Sequence, residues 1–80
     1  MRRYDVIEMG GRETASGAFE DVIIVEGTHW DNAQSHARAR ARNNGGDTVF
    51  VTVHGSDKIE DIVMYVFVDE DTGALITEEA

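Results

Sequence analysis

The chain has 80 residues, of which 41% are hydrophobic, and this composition predicts one small globular domain spanning residues 1–80. It contains no Cys, which excludes disulfides, thiolate metal sites and cysteine nucleophiles and favours a reducing, cytoplasmic location. The formal net charge of −9 argues against direct nucleic-acid binding, because such a surface repels phosphates.

The first half of the chain predicts two strands joined by a long loop. Residues 3–9 alternate imperfectly and read as the first strand, and residues 21–26 contain a β-branched apolar run that reads as the second. Residues 10–20 are polar and contain three Gly, which predicts a loop. A strand with acidic residues follows the basic start of the chain, so neither a signal peptide nor a membrane span is expected.

Residues 28–44 are the only segment with a helical period. Its apolar side chains stack on one face at positions Trp30, Ala33, Ala37 and Ala41. We expect Thr28 to cap the start together with Asp31, and the Asn-Asn-Gly-Gly run at 43–46 to end the helix. Trp30 is the one large residue on this face and is the expected anchor in the core.

The second half predicts a hairpin and a short last strand. Residues 47–54 and 59–69 read as strands around a turn at 55–58, residues 74–77 as a short edge strand, and residues 78–80 as a frayed end. Closing the turn with His54 opposite Ile59 places Val51 opposite Ile62.

These elements predict an α+β domain of β-β-α-β-β order, with a four- to five-stranded, mainly antiparallel sheet and one helix on one face; a β-grasp arrangement is the alternative. A single helix covers only one face of a sheet, and the residues expected there are Ile62, Met64 and Val66 with their neighbours Val49 and Val51. The opposite face would then expose an apolar patch, which predicts a homodimer or a docked partner. The residues assigned to this patch are Phe50, Val63, Tyr65 and Phe67.

No catalytic or cofactor motif is present. His29 and His36 lie two helical turns apart, too far for one metal ion, and Ser56 in a turn has no base supplied to it. The acidic run at 69–73 opens like a calcium loop, but Ala74 stands where that loop needs Gly. The expectation is a protein without enzymatic activity, metal or cofactor; a small enzyme with a site centred on His36 is the alternative.

Charge is unevenly distributed. Residues 1–44 carry six Arg against seven acidic residues, whereas residues 45–80 carry Lys58 against nine. The acidity has three possible meanings: ordinary solubility, a surface for a basic partner, or adaptation to a high-salt cytoplasm in a halophilic or actinobacterial housekeeping domain. The helix adds a positive island, formed by Arg38, Arg40 and Arg42 with His36 beside them. Positive charge at the C-terminal end of a helix matches its dipole, which explains part of this island; the alternative is a patch that binds acidic or phosphate groups of a partner.

The step from strand to helix, Val25-Glu26-Gly27-Thr28 leading to Ala33 and Ala37, resembles small phage-encoded β-β-α-β-β proteins, among them anti-CRISPR inhibitors. It is also similar to the same step in HicB-like antitoxins. The resemblance implies a non-catalytic protein-interaction module, either an inhibitor of a nucleic-acid-handling complex or an antitoxin-like binding protein.

Overall fold

A computed structural model describes residues 2–80 as five strands and one α-helix. The elements are β1 (Tyr4–Glu13), β2 (Phe19–Thr28), α1 (Trp30–Asn43), β3 (Val49–Val53), β4 (Ile62–Val68) and β5 (Leu75–Glu79). They form one sheet of order β2-β1-β3-β4-β5 in which every neighbouring pair is antiparallel, and α1 connects β2 to β3. The predicted α+β class and β-β-α-β-β order are therefore confirmed, including the fifth strand.

The first hairpin is longer than predicted. A loop was expected over residues 10–20, but only residues 14–18 form one: β1 continues to Glu13 and β2 already begins at Phe19. The ladder between the two strands is irregular from Glu8 to Arg12, and Gly10 adopts a φ of 62° there. A bulged, glycine-containing strand with polar side chains shows no alternation of apolar residues, so its sequence resembles that of a loop.

The helix begins later than predicted. Thr28 is the last residue of β2 and pairs with Tyr4, so the expected Thr28 cap is wrong; His29 occupies the N-cap position and makes no side-chain capping bond. The C-terminal end matches the prediction, with α1 ending at Asn43. The Asn44 side chain there accepts a hydrogen bond from the Gly46 N–H at 3.1 Å and donates one to the Asp47 carbonyl at 2.9 Å.

The core lies between α1 and the three central strands. The helix contributes only alanines to the fully buried cluster, and small side chains allow its backbone to lie close to the sheet. The cluster consists of Ala33, Ala37, Ala41, Val6, Val49, Val51, Met64 and Val66. Trp30 is only partly buried and packs against Tyr4 with ring centroids 5.1 Å apart, so it anchors one end of the helix rather than its centre.

The β3–β4 register differs from the prediction by two residues. Val51 lies opposite Met64, not Ile62, because a short 3-10 helix at Ile59–Asp61 lengthens the connection. A shift of two keeps Met64 on the helix side of the sheet. At the C-terminus, the prediction of a frayed end is wrong for Glu78 and Glu79, which belong to β5 and pair with Tyr65 and Met64. Within residues 2–80, no helix has the length and apolarity needed to cross a membrane.

Candidate binding groove on the open sheet face

One continuous row of side chains crosses the sheet on the face away from α1. The cross-strand pairs run from Ile23 on β2 to Ile7 on β1, Phe50 on β3, Tyr65 on β4 and Glu78 on β5. Directly paired residues of antiparallel strands project from the same face, so four apolar or aromatic side chains lie side by side and a carboxylate ends the row. The Phe50 and Tyr65 rings are in contact, with centroids 6.4 Å apart.

The four apolar or aromatic side chains of this row form the floor of an open groove of about 480 Å³, here called the sheet groove. The segment from Ser56 to Ile59 lines the groove, and the exposed side chains Met9, Ile23 and Ile59 contribute apolar surface to it. Their exposed fractions are 45%, 56% and 78%, which is high for large apolar residues. The complete lining of the sheet groove is Ile7, Met9, Asp21, Ile23, Phe50, Thr52, Ser56, Asp57, Lys58, Ile59, Ile62 and Tyr65.

Hydrogen bonds hold the segment beside the groove in place. The Ser56 hydroxyl donates to an Asp61 carboxylate oxygen at 2.5 Å, and the Thr52 hydroxyl donates to the Asp61 carbonyl at 3.2 Å. Asp61 therefore ties the turn before β4 to the end of β3. The Ser56 hydroxyl is used in this contact, which agrees with its interpretation as a turn residue.

The structure places most, but not all, of the predicted patch on this face. Phe50 and Tyr65 line the sheet groove, and Phe67 lies on the same face, opposite Ile76. The assignment of Val63 is wrong, because Val63 packs against the buried cluster, and Ile62, expected beneath the helix, lines the groove instead. A bulge in the β3–β4 ladder, between the Val51–Met64 and Thr52–Ile62 pairs, interrupts the alternation that the prediction assumed.

The predicted arginine patch is only partly a free surface. Arg40 donates to both carboxylate oxygens of Glu8, with Nε to Oε2 at 2.8 Å and a second nitrogen to Oε1 at 3.2 Å. Glu8 is 1% exposed, and the hydrogen bonds from Arg40 outweigh the effect of burial and hold the pKa of Glu8 below its ordinary value. Arg40 is therefore a structural partner of Glu8, a role that the sequence analysis missed.

The other members of the patch are differently placed. Arg38 is partly buried and donates to Gln34 one turn earlier at 3.2 Å, while His36 and Arg42 are exposed on the helix surface. What remains for a partner is a smaller and less positive surface than the sequence suggested.

A buried carboxylate at Asp5 was also missed. Its Oδ1 accepts from the Gly27 N–H at 2.8 Å and lies 2.7 Å from Nδ1 of His54, and its Oδ2 accepts from the Gly55 N–H at 3.0 Å. Burial alone would raise the pKa of Asp5, but the hydrogen bonds from Gly55, His54 and Gly27 lower it below its ordinary value. Asp5 thus ties the end of β2 and the turn after β3 to β1. No local pattern in the sequence signals contacts of such long range.

Across residues 2–80, no group of three or more His, Asp or Glu side chains is arranged to hold a metal ion. Comparison with known protein families, with characterised proteins and with solved structures gives no match. The sheet groove, with its exposed apolar side chains, is the feature on which a functional proposal rests.

Proposed function

We propose that this protein is a non-catalytic interaction module that binds another protein chain through the sheet groove. The observation that carries the proposal is the row of Ile23, Ile7, Phe50 and Tyr65 on a sheet face that no helix of residues 2–80 covers. Exposed apolar patches rimmed by polar residues are typical of interaction sites.

Docking on this face has a clear energetic source. Removing a large apolar side chain from water contributes about 1.5 to 3 kcal/mol, so covering the exposed parts of Ile23, Ile59 and Met9 supplies several kcal/mol before the costs of association. The polar rim around an apolar centre is also the usual arrangement of a protein–protein interface.

The acidity favours a partner with a basic surface. Nine of the chain's acidic residues lie in residues 45–80, opposed there only by Lys58. Complexes that handle nucleic acids carry basic grooves, and an acidic protein that docks there would compete with the nucleic acid. We therefore propose inhibition of such a complex, as the resemblance to anti-CRISPR proteins implies; an antitoxin-like or homodimeric use of the same face is the alternative.

Site-specific photo-crosslinking in the source cells tests the interaction module. A photoreactive residue at Ile59, within the groove, should give a discrete adduct, and the same residue at exposed Ala39 on the outer side of α1 should not. Introducing Ile23→Asp should abolish the adduct without unfolding the protein, because Ile23 is 56% exposed. Equal labelling from both positions, or an adduct that survives Ile23→Asp, would refute groove-mediated binding.

The mass of the adduct separates the alternatives. Twice the mass of this chain, together with a dimer in sedimentation at micromolar concentration, would identify the homodimer. A larger partner, followed by a DNA- or RNA-binding assay of that purified partner with and without this protein, would test the inhibitor proposal directly.

A further inference from the structure

We infer that the occupant of the sheet groove is a short apolar segment of the partner flanked at both ends by Arg or Lys. This inference rests on the proposed interaction function and adds the chemistry of the segment that the groove recognises. It follows from the length of the apolar row and from the charges at its two ends.

The apolar row sets the length of the segment. Neighbouring strands in a sheet lie about 4.8 Å apart, so the four strands from Ile23 to Tyr65 place their side chains over about 14 Å. An extended chain covers about 3.3 Å per residue, and about four apolar residues therefore span the row. The groove volume of about 480 Å³ lies within the range of sites that enclose side chains or small ligands.

Carboxylates stand at both ends of this row. At the β2 end, Asp21 lies two residues before Ile23 and lines the groove; its Oδ1 accepts from the Gly10 N–H at 3.0 Å, which leaves Oδ2 for a cation. At the β5 end, Glu78 lies directly opposite Tyr65 and is exposed. The two carboxylates are about four strand spacings apart, roughly 19 Å, which corresponds to cations five or six residues apart in the bound segment.

The segment beside the groove adds one charge of each sign. Asp57 and Lys58 both line the groove. Within residues 2–80, Lys58 is the only cationic side chain of the groove lining. Lys58 can pair with a backbone carbonyl of the bound segment, whereas the three carboxylates favour its cationic side chains.

Charge also disfavours a second copy as the occupant. A two-fold interface places the same surface on both sides, so Asp21 and Asp57 of the groove lining, and Glu78 opposite Tyr65, would be brought together in two chains that each carry a net charge of −9. A cationic segment gains attraction at those same positions.

Three synthetic hexapeptides test this inference by NMR titration of the isotope-labelled full chain. The first has four apolar residues between two Lys, the second has the same four residues between two Glu, and the third has four polar residues between two Lys. We expect the first peptide to bind at least tenfold more tightly than the other two and to shift the amide resonances of Ile7, Phe50 and Tyr65 but not those of α1.

Matched variants test whether the carboxylates at the two ends of the apolar row, Asp21 and Glu78, cause the preference for a cationic segment. The double variant Asp21→Asn with Glu78→Gln should weaken binding of the first peptide about twofold to thirtyfold, since it removes two exposed ion pairs. The control Glu26→Gln with Glu70→Gln makes the same change of net charge at exposed positions that neither line the groove nor pair with a residue of the apolar row, and should leave the affinity unchanged. An equal effect of both double variants would show that the net charge of the protein, and not Asp21 and Glu78 in particular, selects the segment, and would overturn the inference.

Other results also overturn it, and they are distinguishable from failure of the proposed function. Equal or tighter binding of the Glu-flanked peptide, or amide shifts confined to α1, refutes the cationic segment even where the crosslink at Ile59 shows that the groove binds a partner. A dimer in sedimentation with the groove amides protected would refute it in favour of a second copy.

Discussion

The substitution Gly11→Ala isolates the role of the buried Glu8 carboxylate. Gly11 is not among the glycines with positive φ, so an L-residue fits its backbone without strain. An added Cβ, however, would overlap Oε1 of Glu8 and approach its Cγ and Cδ to 2.9 Å. The carboxylate would have to move away from Arg40 while remaining in a site where Glu8 is 1% exposed.

The size of the effect follows from two opposed contributions. Hydrogen bonds to charged groups contribute about 1.5 to 3 kcal/mol, and displacing Glu8 weakens two of them. Replacing Gly by Ala inside a strand gains about 0.5 to 1 kcal/mol through reduced backbone entropy of the unfolded chain. We therefore expect Gly11→Ala to lower the free energy of unfolding by about 1 to 2 kcal/mol, a large share of the stability of a small domain.

Urea denaturation of a double-mutant cycle measures this. In a Glu8→Ala background the clash is absent, and Gly11→Ala should be neutral or stabilising, giving a coupling of about 2 kcal/mol. Gly17→Ala is the control: Gly17 has a φ of 85° and open space around it, so its cost should be the same in both backgrounds. A Gly11→Ala protein as stable as the parent, with Glu8 present, would refute the reasoning.

Four further outcomes are expected. Folding lowers the pKa values of Asp5 and Glu8, so the stability that these two carboxylates give the folded state is complete above their ordinary pKa values of 3.8 and 4.5. This stability is lost as the pH falls through the lower pKa values of the folded state. Urea melts should therefore show a loss of stability below about pH 4, and the loss should be shallower in Asp5→Asn. Trp30→Ala should cost about 2 to 3 kcal/mol in the same assay, less than a fully buried aromatic, and a loss below about 1 kcal/mol would show that Trp30 does not anchor the helix. Replacing Arg38 and Arg42 together by Gln, with Arg40 kept for Glu8, should change stability by less than about 0.5 kcal/mol, and loss of the Ile59 crosslink in that variant would make the helix a second contact surface. The melting temperature should stay nearly flat between 0.15 and about 2 M KCl, because charges on the acidic surface are already screened over about 8 Å; a steep rise would support high-salt adaptation instead.

The sequence predicted correctly those strands in which side chains alternate regularly between the two faces of the sheet. The alternation in β3 and β4 placed Val49, Val51, Met64 and Val66 beneath the helix, where the structure has them buried. The prediction assumed regular strands, and it failed where the ladder is bulged. The first hairpin extends through residues 10–13 and 19–20, which were predicted as loop, and at the start of β4 Ile62 takes the place predicted for Val63.

The contacts of the buried carboxylates could not be predicted for a different reason. Asp5 and His54 are 49 residues apart, and Glu8 and Arg40 are 32 apart, so each pair depends on the sheet order rather than on any local spacing. The open sheet face was predictable in outline because one helix covers only one face. Its exact lining depends on which strands are neighbours, and only the β2-β1-β3 order brings Ile23 and Ile7 into line with Phe50.

The two outer strands have a consequence for aggregation. A five-stranded open sheet exposes the backbone N–H and C=O groups of β2 and β5, and an exposed edge invites strand addition by a second molecule. Both edges carry acids, with Glu20, Asp21 and Glu26 on β2 and Glu78 and Glu79 on β5. Like charge on both edges opposes edge-to-edge polymerisation of the chain.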